Sequence, residues 1–283
     1  MEQLTLCAPD RNKSCFACCP PIRPRDYEHL QYRNIVKRIL RENTRSFYRN
    51  PRKVIPITGF SCWALGYLDN QFKRIGCLLH PCQNNGKDLR YLVDYGEKCL
   101  RENCQEALTF ARLSSRCQRY LLQLTENMDS FEYSSRKHNP LFRLLGWGIN
   151  VIEEVVDSSI EQGITPKNLL EIYPVLQDTP EPRSCTYLLE SVMRRLQADV
   201  LQGPEFARRF GDFSNRLLRE ISPPWHQHTA PFAHRLGIGK SFEDMLRLGL
   251  NIKRIEKEAA LSLKEEIDHR IDDFASEMMK ASP

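Results

Sequence analysis

The sequence predicts a mainly α chain in two parts: an irregular, cysteine-rich module over residues 1–105, packed on an all-α helical domain over residues 106–283. Three observations lead there. Ten of the eleven cysteines lie within the first 117 residues, leaving only Cys185 beyond them. The early chain is punctuated by Pro20, Pro21, Pro24, Pro51, Pro56 and Pro81 and by Gly59, Gly66, Gly76 and Gly86, residues that interrupt regular structure. From about Glu97 the texture changes to long amphipathic patterns, beginning EKCLRENCQEALTFARLSSRCQRYLLQLTENM.

One helix is expected inside the irregular part, from about Asp26 to Arg45, where Leu30, Ile35, Ile39 and Leu40 form an apolar stripe among basic residues. After the helix that starts near Glu97, further helices are expected at about 140–161, 166–173, 183–201, 204–220 and 241–280. Thr165 before Pro166 reads as a cap with proline at the first helical position, and Ser241 with Asp244 resembles a capping box. In the last helix Leu248, Ile252, Ile255, Ala259, Leu263, Ile267, Ile271, Phe274 and Met278 recur at spacings of three and four, a stripe for burial against neighbouring helices. No repeat unit and no low-complexity segment is visible.

A chain of 283 residues with 41% hydrophobic content can bury a sizeable core, and its net charge of +5 falls short of a nucleic-acid signature. No run of about 18 apolar residues suggests a membrane span. The N-terminus MEQLTLCAPDRNKSC lacks the basic head and apolar run of a secretory signal, so a reducing, cytoplasmic setting is expected. Under those conditions metal ligation is a more natural role for clustered thiols than disulfides.

The cysteines read C-x2-C-C at Cys15, Cys18 and Cys19, then Cys62, then C-x4-C at Cys77 and Cys82, then C-x4-C at Cys99 and Cys104. Short spacings place two sulfurs on one turn, close enough to share a tetrahedral metal or a cluster. Positions 99 and 104 are about 140° apart on an ideal helix, so both face one site only at an irregular start, which Gly96 suits. The eight cysteines from Cys15 to Cys104 are the candidate metal ligands, filling two four-thiolate sites or one site with spare cysteines around it. Adjacent Cys18 and Cys19 diverge, so one serves a second site or only packs nearby. Thiolate-only ligation and a glycine-rich backbone favour an iron–sulfur cluster (4Fe–4S) narrowly over zinc, whose sites are usually built from paired C-x2-C knuckles.

The segments SCFACCPP and SCWALGYLDNQFKRIGCLLHPC resemble the YkgJ-type cysteine-cluster proteins, described as zinc- or iron-chelating. In that resemblance Cys15, Cys18 and Cys19 take the opening knot, Cys62 the next position, Cys77 the strand position and Cys82 the closing one. The pattern departs from the family where Leu79 replaces an aromatic residue and where no arginine precedes Pro81, and Cys99 and Cys104 compete with Cys82 for the closing role. The resemblance covers residues 13–104 and implies a metal site without a particular reaction.

Other groups carry weaker signals. His80 lies between Cys77 and Cys82 and is read as a neighbour of the ligands rather than a ligand, while His226, His228 and His234 read as part of a proline-containing loop. Glu153 and Glu154 are adjacent on a helix and point about 100° apart, a solvated face rather than an acid–base pair. Cys117 and Cys185 are expected in the core. The common nucleotide-binding and hydrolase signatures are missing. Between Arg11 and Lys53 twelve basic residues face three acidic ones, with Tyr27, Tyr32, Phe47 and Tyr48 among them. These support an anion- or nucleic-acid-binding role as a less favoured reading than a solvated face or a counter-charge to a thiolate cluster.

The function expected is thus a metal-binding protein carrying a Cys-ligated iron–sulfur cluster or zinc site, with a helical domain that takes a protein or small-molecule partner. A redox or methyltransferase-like enzyme using the cluster, related to the methylases that modify flagellin, is the alternative.

Overall fold

A computed structural model describes residues 4–19, 28–49, 54–57, 62–94, 99, 104–196, 198–221 and 230–281. The expectations placed on Pro20, Pro21, Pro24, Asp26, Tyr27, Pro51, Gly59, Gly96, Glu97, His226 and His228 lie outside them. The chain is mainly helical and divides into two compact units, Met1–Phe142 and Arg143–Pro283.

In the first unit helix α1 spans Arg33–Arg49, beginning later than its apolar stripe suggested because residues 29–32 form a turn. Val36 and Leu40 are its buried face. Its cations are used locally: Arg33 and Lys37 lie 5.3 and 5.8 Å over the Phe131 ring, and Arg41 lies 5.4 Å over Phe72. Against α1 packs an antiparallel hairpin, β1 (Leu65–Tyr67) and β2 (Ile75–Cys77), in which Leu65 pairs with Cys77. The irregular segment expected from the glycines therefore contains a small sheet. The Asp69 carboxylate closes its turn by accepting from the N–H groups of Gln71 and Arg74 at 2.8 and 2.6 Å. Gly66 is required in β1, because a Cβ there would sit 2.7 Å from both Leu78 Cδ1 and Thr44 Oγ1. The Thr44 hydroxyl in turn donates to Leu40 O (2.7 Å) and accepts from Tyr67 N (2.9 Å), binding helix to strand.

The helix expected from about residue 97 is divided. Helix α2 is Gln105–Arg112 and α3 is Ser115–Gln123, separated where the Ser114 hydroxyl accepts from Cys117 N and starts a new helix. Helix α4, Ser130–Ser134, starts with a capping box of Asp129 and Glu132. This helix belongs with the cysteine-rich segment, since its serines hold the chain around residues 14–16. Ser14 N donates to Ser130 Oγ (3.1 Å), Phe16 N donates to Ser134 Oγ (2.9 Å), and Ser130 Oγ donates to Lys73 O (2.6 Å). The Ser14 hydroxyl donates to Ile75 O and accepts from Ile75 N, both at 2.7 Å. The unit's core gathers Phe16, Val36, Leu40, Leu65, Ile75, Leu79, Leu92, Val93 and Phe131.

Helix α5 (Pro140–Gly146) leads into the second unit, where α6 (Gly148–Glu161) starts afresh at Gly148, whose φ of +81° ends the single helix expected over 140–161. A 3-10 turn, Pro166–Asn168, leads into α7 (Leu169–Ile172), and Thr165 makes no side-chain cap there. Helices α8 (Val175–Asp178), α9 (Pro182–Met193) and α10 (Gly203–Glu220) follow, with a separate turn at Ala198–Leu201. The long helix expected over 241–280 is two elements. The first, α11 (Lys240–Asp244), runs into a π-helical turn at Met245–Gly249 and is preceded by Gly239 rather than capped by Ser241. Asn251, with φ of +55°, and the bridge from Phe232 to Arg254 separate it from α12 (Lys257–Ala281). The stripe is buried at Ile252, Ile255, Ile267, Ile271, Phe274 and Met278, whereas Leu248 is exposed and Ala260 replaces Ala259 inside. Cys117 and Cys185 are buried as expected. Among the described residues no helix is long and apolar enough to cross a membrane.

Ser14→Ala strips both hydrogen bonds from the buried Ile75 peptide, and a loss of about 1–3 kcal/mol in the first unit's stability is expected in urea unfolding.

Candidate metal centre

All eleven cysteines are thiols in the structure, with no disulfide among them. Of the eight candidate ligands, four sit together in the hydrophobic core of the first unit. Cys62 is a core residue, and Cys19, Cys77 and Cys99 pack against the same cluster. Cys77 ends β2, and Cys62 lies just ahead of β1, its carbonyl fixed by Leu65 N and by Asn43 Nδ2 at 3.0 Å each. Burial pushes the Cys62 thiol up to about 11, with Cys99 adding to the effect, and pushes Cys77 up to about 12, with Cys62 and Cys99 adding. Cys19 is held well above the usual thiol range by its hydrogen bond to Cys18 and by burial, and Cys77 and Cys62 act on it too.

A second group forms around Cys15, whose thiol is raised by burial and by Cys18, Cys7 and Cys104. Cys15 N donates to Cys7 O at 2.9 Å. Cys7 is exposed as a residue, yet protein crowds its thiol enough that desolvation raises it, with Cys18 and then Cys82 contributing. Burial and a hydrogen bond to Glu106, 2.7 Å from sulfur to Oε2, push Cys104 up to about 11. Burial would raise the Glu106 carboxyl as well, but hydrogen bonds from Arg136 and Cys104 outweigh it and hold it below the usual range. Cys18 links the two sets, because it hydrogen-bonds Cys19 and also raises Cys15 and Cys7. The Cys82 N–H donates to His80 Nδ1 at 3.2 Å, so the His80 ring caps the 3-10 turn Pro81–Gln83.

Two features fit a thiolate-bound metal. The first is a set of backbone N–H groups aimed at sulfur: Ala17 at Cys15 (3.5 Å), Ala64 and Leu65 at Cys62, Leu79 at Cys77 and Ala107 at Cys104. Such bonds favour the ionised sulfur and are the usual surroundings of metal thiolates. The second is one arginine beside each group. Arg90 Nη1 donates to Cys99 O at 2.9 Å and faces Cys77, while Arg136 Nη2 lies 3.6 Å from Cys104 Sγ. One feature runs against a preformed site: among the described residues no three His, Cys, Asp or Glu side chains already converge at metal-binding distance.

Sequence reasoning left out Cys7, Glu106 and Arg136. Cys7 stands eight residues before Cys15, a spacing that matches no short ligand pair, Glu106 is a single charged residue on a helical stretch, and Arg136 is one in the turn between α4 and α5. In the second unit His234 sits 5.5 Å from the Phe232 ring, and Glu154 is exposed on a cleft of about 670 Å³ shared with Asp157, Glu161, Arg194, Arg195 and Asp199. Comparison with family models, curated proteins and solved structures finds no match for this chain.

Two outcomes are expected of the metal-free, reduced chain. Thiols raised above 9.0 in the folded state favour the protonated form, so their stabilisation is complete below about pH 9 and is lost as pH rises toward 11 and 12. Cys62 alone contributes a slope of about 1.4 kcal/mol per pH unit across that window, readable in urea midpoints. Glu106→Gln removes the negative neighbour of Cys104, and iodoacetamide labelling of that thiol at pH 8 accelerates roughly three- to tenfold.

Proposed function

We propose that this is a metal-binding protein whose first unit carries a thiolate-ligated centre, an iron–sulfur cluster or a zinc ion, with the second, helical unit serving a protein or small-molecule partner. The observation that carries the reading is the quartet Cys19, Cys62, Cys77 and Cys99 gathered on one apolar core, with backbone N–H groups directed at Cys62 and Cys77. Three of these thiols, Cys19, Cys62 and Cys77, are raised with burial as a cause. A soft cation turns them into ligands by replacing their protons, and the N–H groups then face ionised sulfur. Arg90 offsets part of the charge of the resulting thiolate complex. The resemblance of residues 13–104 to zinc- or iron-chelating cysteine-cluster proteins supports the same reading.

Purification of the intact chain without oxygen, followed by an absorbance spectrum and analysis for iron, sulfide and zinc, tests it. Charge-transfer absorption with iron and sulfide identifies a cluster, and a colourless protein with stoichiometric zinc identifies the alternative. A colourless protein with neither metal, in which all eleven cysteines titrate as thiols, overturns the reading.

A further inference from the structure

A thiolate-bound metal accounts for none of the outward cations of α1. Val36 and Leu40 are buried in that helix, and Phe47 packs on the same core. At about 100° per residue these three define one side of α1, and Arg38, Arg45 and Arg49 lie directly opposite, within about 40° of one another. All three are exposed, and none of them has an ion-pair partner among the described residues. Arg41 flanks them, and Glu42 is the one acidic residue of the helix. Two aromatic rings border the stripe. Tyr48, two turns on from Arg41 along the same edge, is 73% exposed. Phe72, in the turn of the hairpin, lies 5.4 Å from Arg41, contacts Tyr67 at 5.0 Å between ring centroids, and is 49% exposed. Its φ of +57° holds a bulky residue in the left-handed region, where a turn that only joined two strands would favour glycine or asparagine. A solvated face needs charge alone and has no use for rings held at the surface beside it.

We propose that the outer face of α1, with Tyr48 and Phe72 at its edge, is a binding surface for single-stranded nucleic acid. Arg38, Arg41, Arg45 and Arg49 run along about 16 Å of helix axis and meet the phosphates of the strand, and arginine at all four positions suits bidentate contact with phosphate. Tyr48 and Phe72 offer faces on which bases stack, which favours a single strand over a duplex whose bases are already stacked on one another. None of these residues is a candidate metal ligand, so the surface is independent of the metal-binding reading.

The test titrates the full chain, as isolated, into a fluorescein-labelled oligouridine and reads anisotropy at several salt concentrations. Affinity is expected to fall about fiftyfold between about 50 and 200 mM salt, as four phosphate contacts on a single strand require. In the triple variant Arg38→Gln, Arg45→Gln and Arg49→Gln binding weakens and the same change of salt costs only about threefold, with an unchanged urea midpoint because all three side chains point to solvent. Tyr48→Ala weakens binding about tenfold and leaves the salt dependence as it was. Replacing two exposed arginines of the neighbouring helices, Arg112→Gln with Arg119→Gln, leaves affinity unchanged. No binding of the oligouridine at the lower salt, a triple variant that binds as the unaltered chain does, or an equal loss in the Arg112 and Arg119 control overturns the proposal. Unchanged affinity in Tyr48→Ala, or tighter binding of a duplex or of phosphatidylserine vesicles than of the oligouridine, overturns the assignment to a single strand.

Discussion

The cysteine-rich unit depends on the way a single non-helical segment satisfies its buried backbone. Residues 13–16 run between β2 and α4 without joining the two-stranded sheet, and a buried N–H or carbonyl left without a partner costs as much as a lost hydrogen bond. Three serine hydroxyls take the place of a neighbouring strand. Ser130 and Ser134 receive the N–H groups of Ser14 and Phe16, and Ser14 itself returns a donor and an acceptor to Ile75. That arrangement sets Cys15 and Cys19 at either end of a short, anchored stretch with Phe16 in the core between them. The hairpin end at Cys77 and the first turn after Ser14 are thereby held in one register.

Burial and ionisation pull the thiols in opposite directions. Desolvation favours the neutral sulfur, and the raised Cys62, Cys77 and Cys104 express it. The N–H groups and the two arginines favour the charged form, without overcoming burial. Thiols balanced this way stay protonated below about pH 9. Arg33, Lys37 and Arg41 meanwhile lie over aromatic rings of the same unit, which accounts for part of the basic run between Arg11 and Lys53 as internal packing.

How much of this was legible in the sequence follows from how local each feature is. The concentration of cysteines and the change to amphipathic periodicity are local, and they show a mainly helical chain with an irregular start. The hairpin was hidden because Gly66 and Gly76, which face one another across it, are poor strand formers chosen for close approach. The break before α4 was readable in Asp129 and Glu132, a capping box that the apolar pattern overshadowed. The long final helix misled because Leu248, Ile252 and Ile255 keep helical spacing through a π turn and a left-handed Asn251. The eight candidate cysteines were apparent from spacing, but their division into groups was not. It depends on contacts between residues more than fifty positions apart, and Ser14, Ser130 and Ser134 look like ordinary polar residues in one dimension.

The serine contacts also impose an order on biosynthesis. Ser14 and Phe16 are bonded to hydroxyls 116 and 118 residues further along, and Leu6 to a tyrosine 127 residues away. When residues 7–19 leave the ribosome, the groups that hold them have not been made. Closing loops of that length is slow compared with forming the helices around them. During translation Cys7, Cys15, Cys18 and Cys19 are therefore unstructured thiols, open to whatever metal or oxidant the cell presents. The folded arrangement of the first unit becomes available only once α4 has emerged, so the thiols take up their buried positions in the completed unit rather than in the nascent chain.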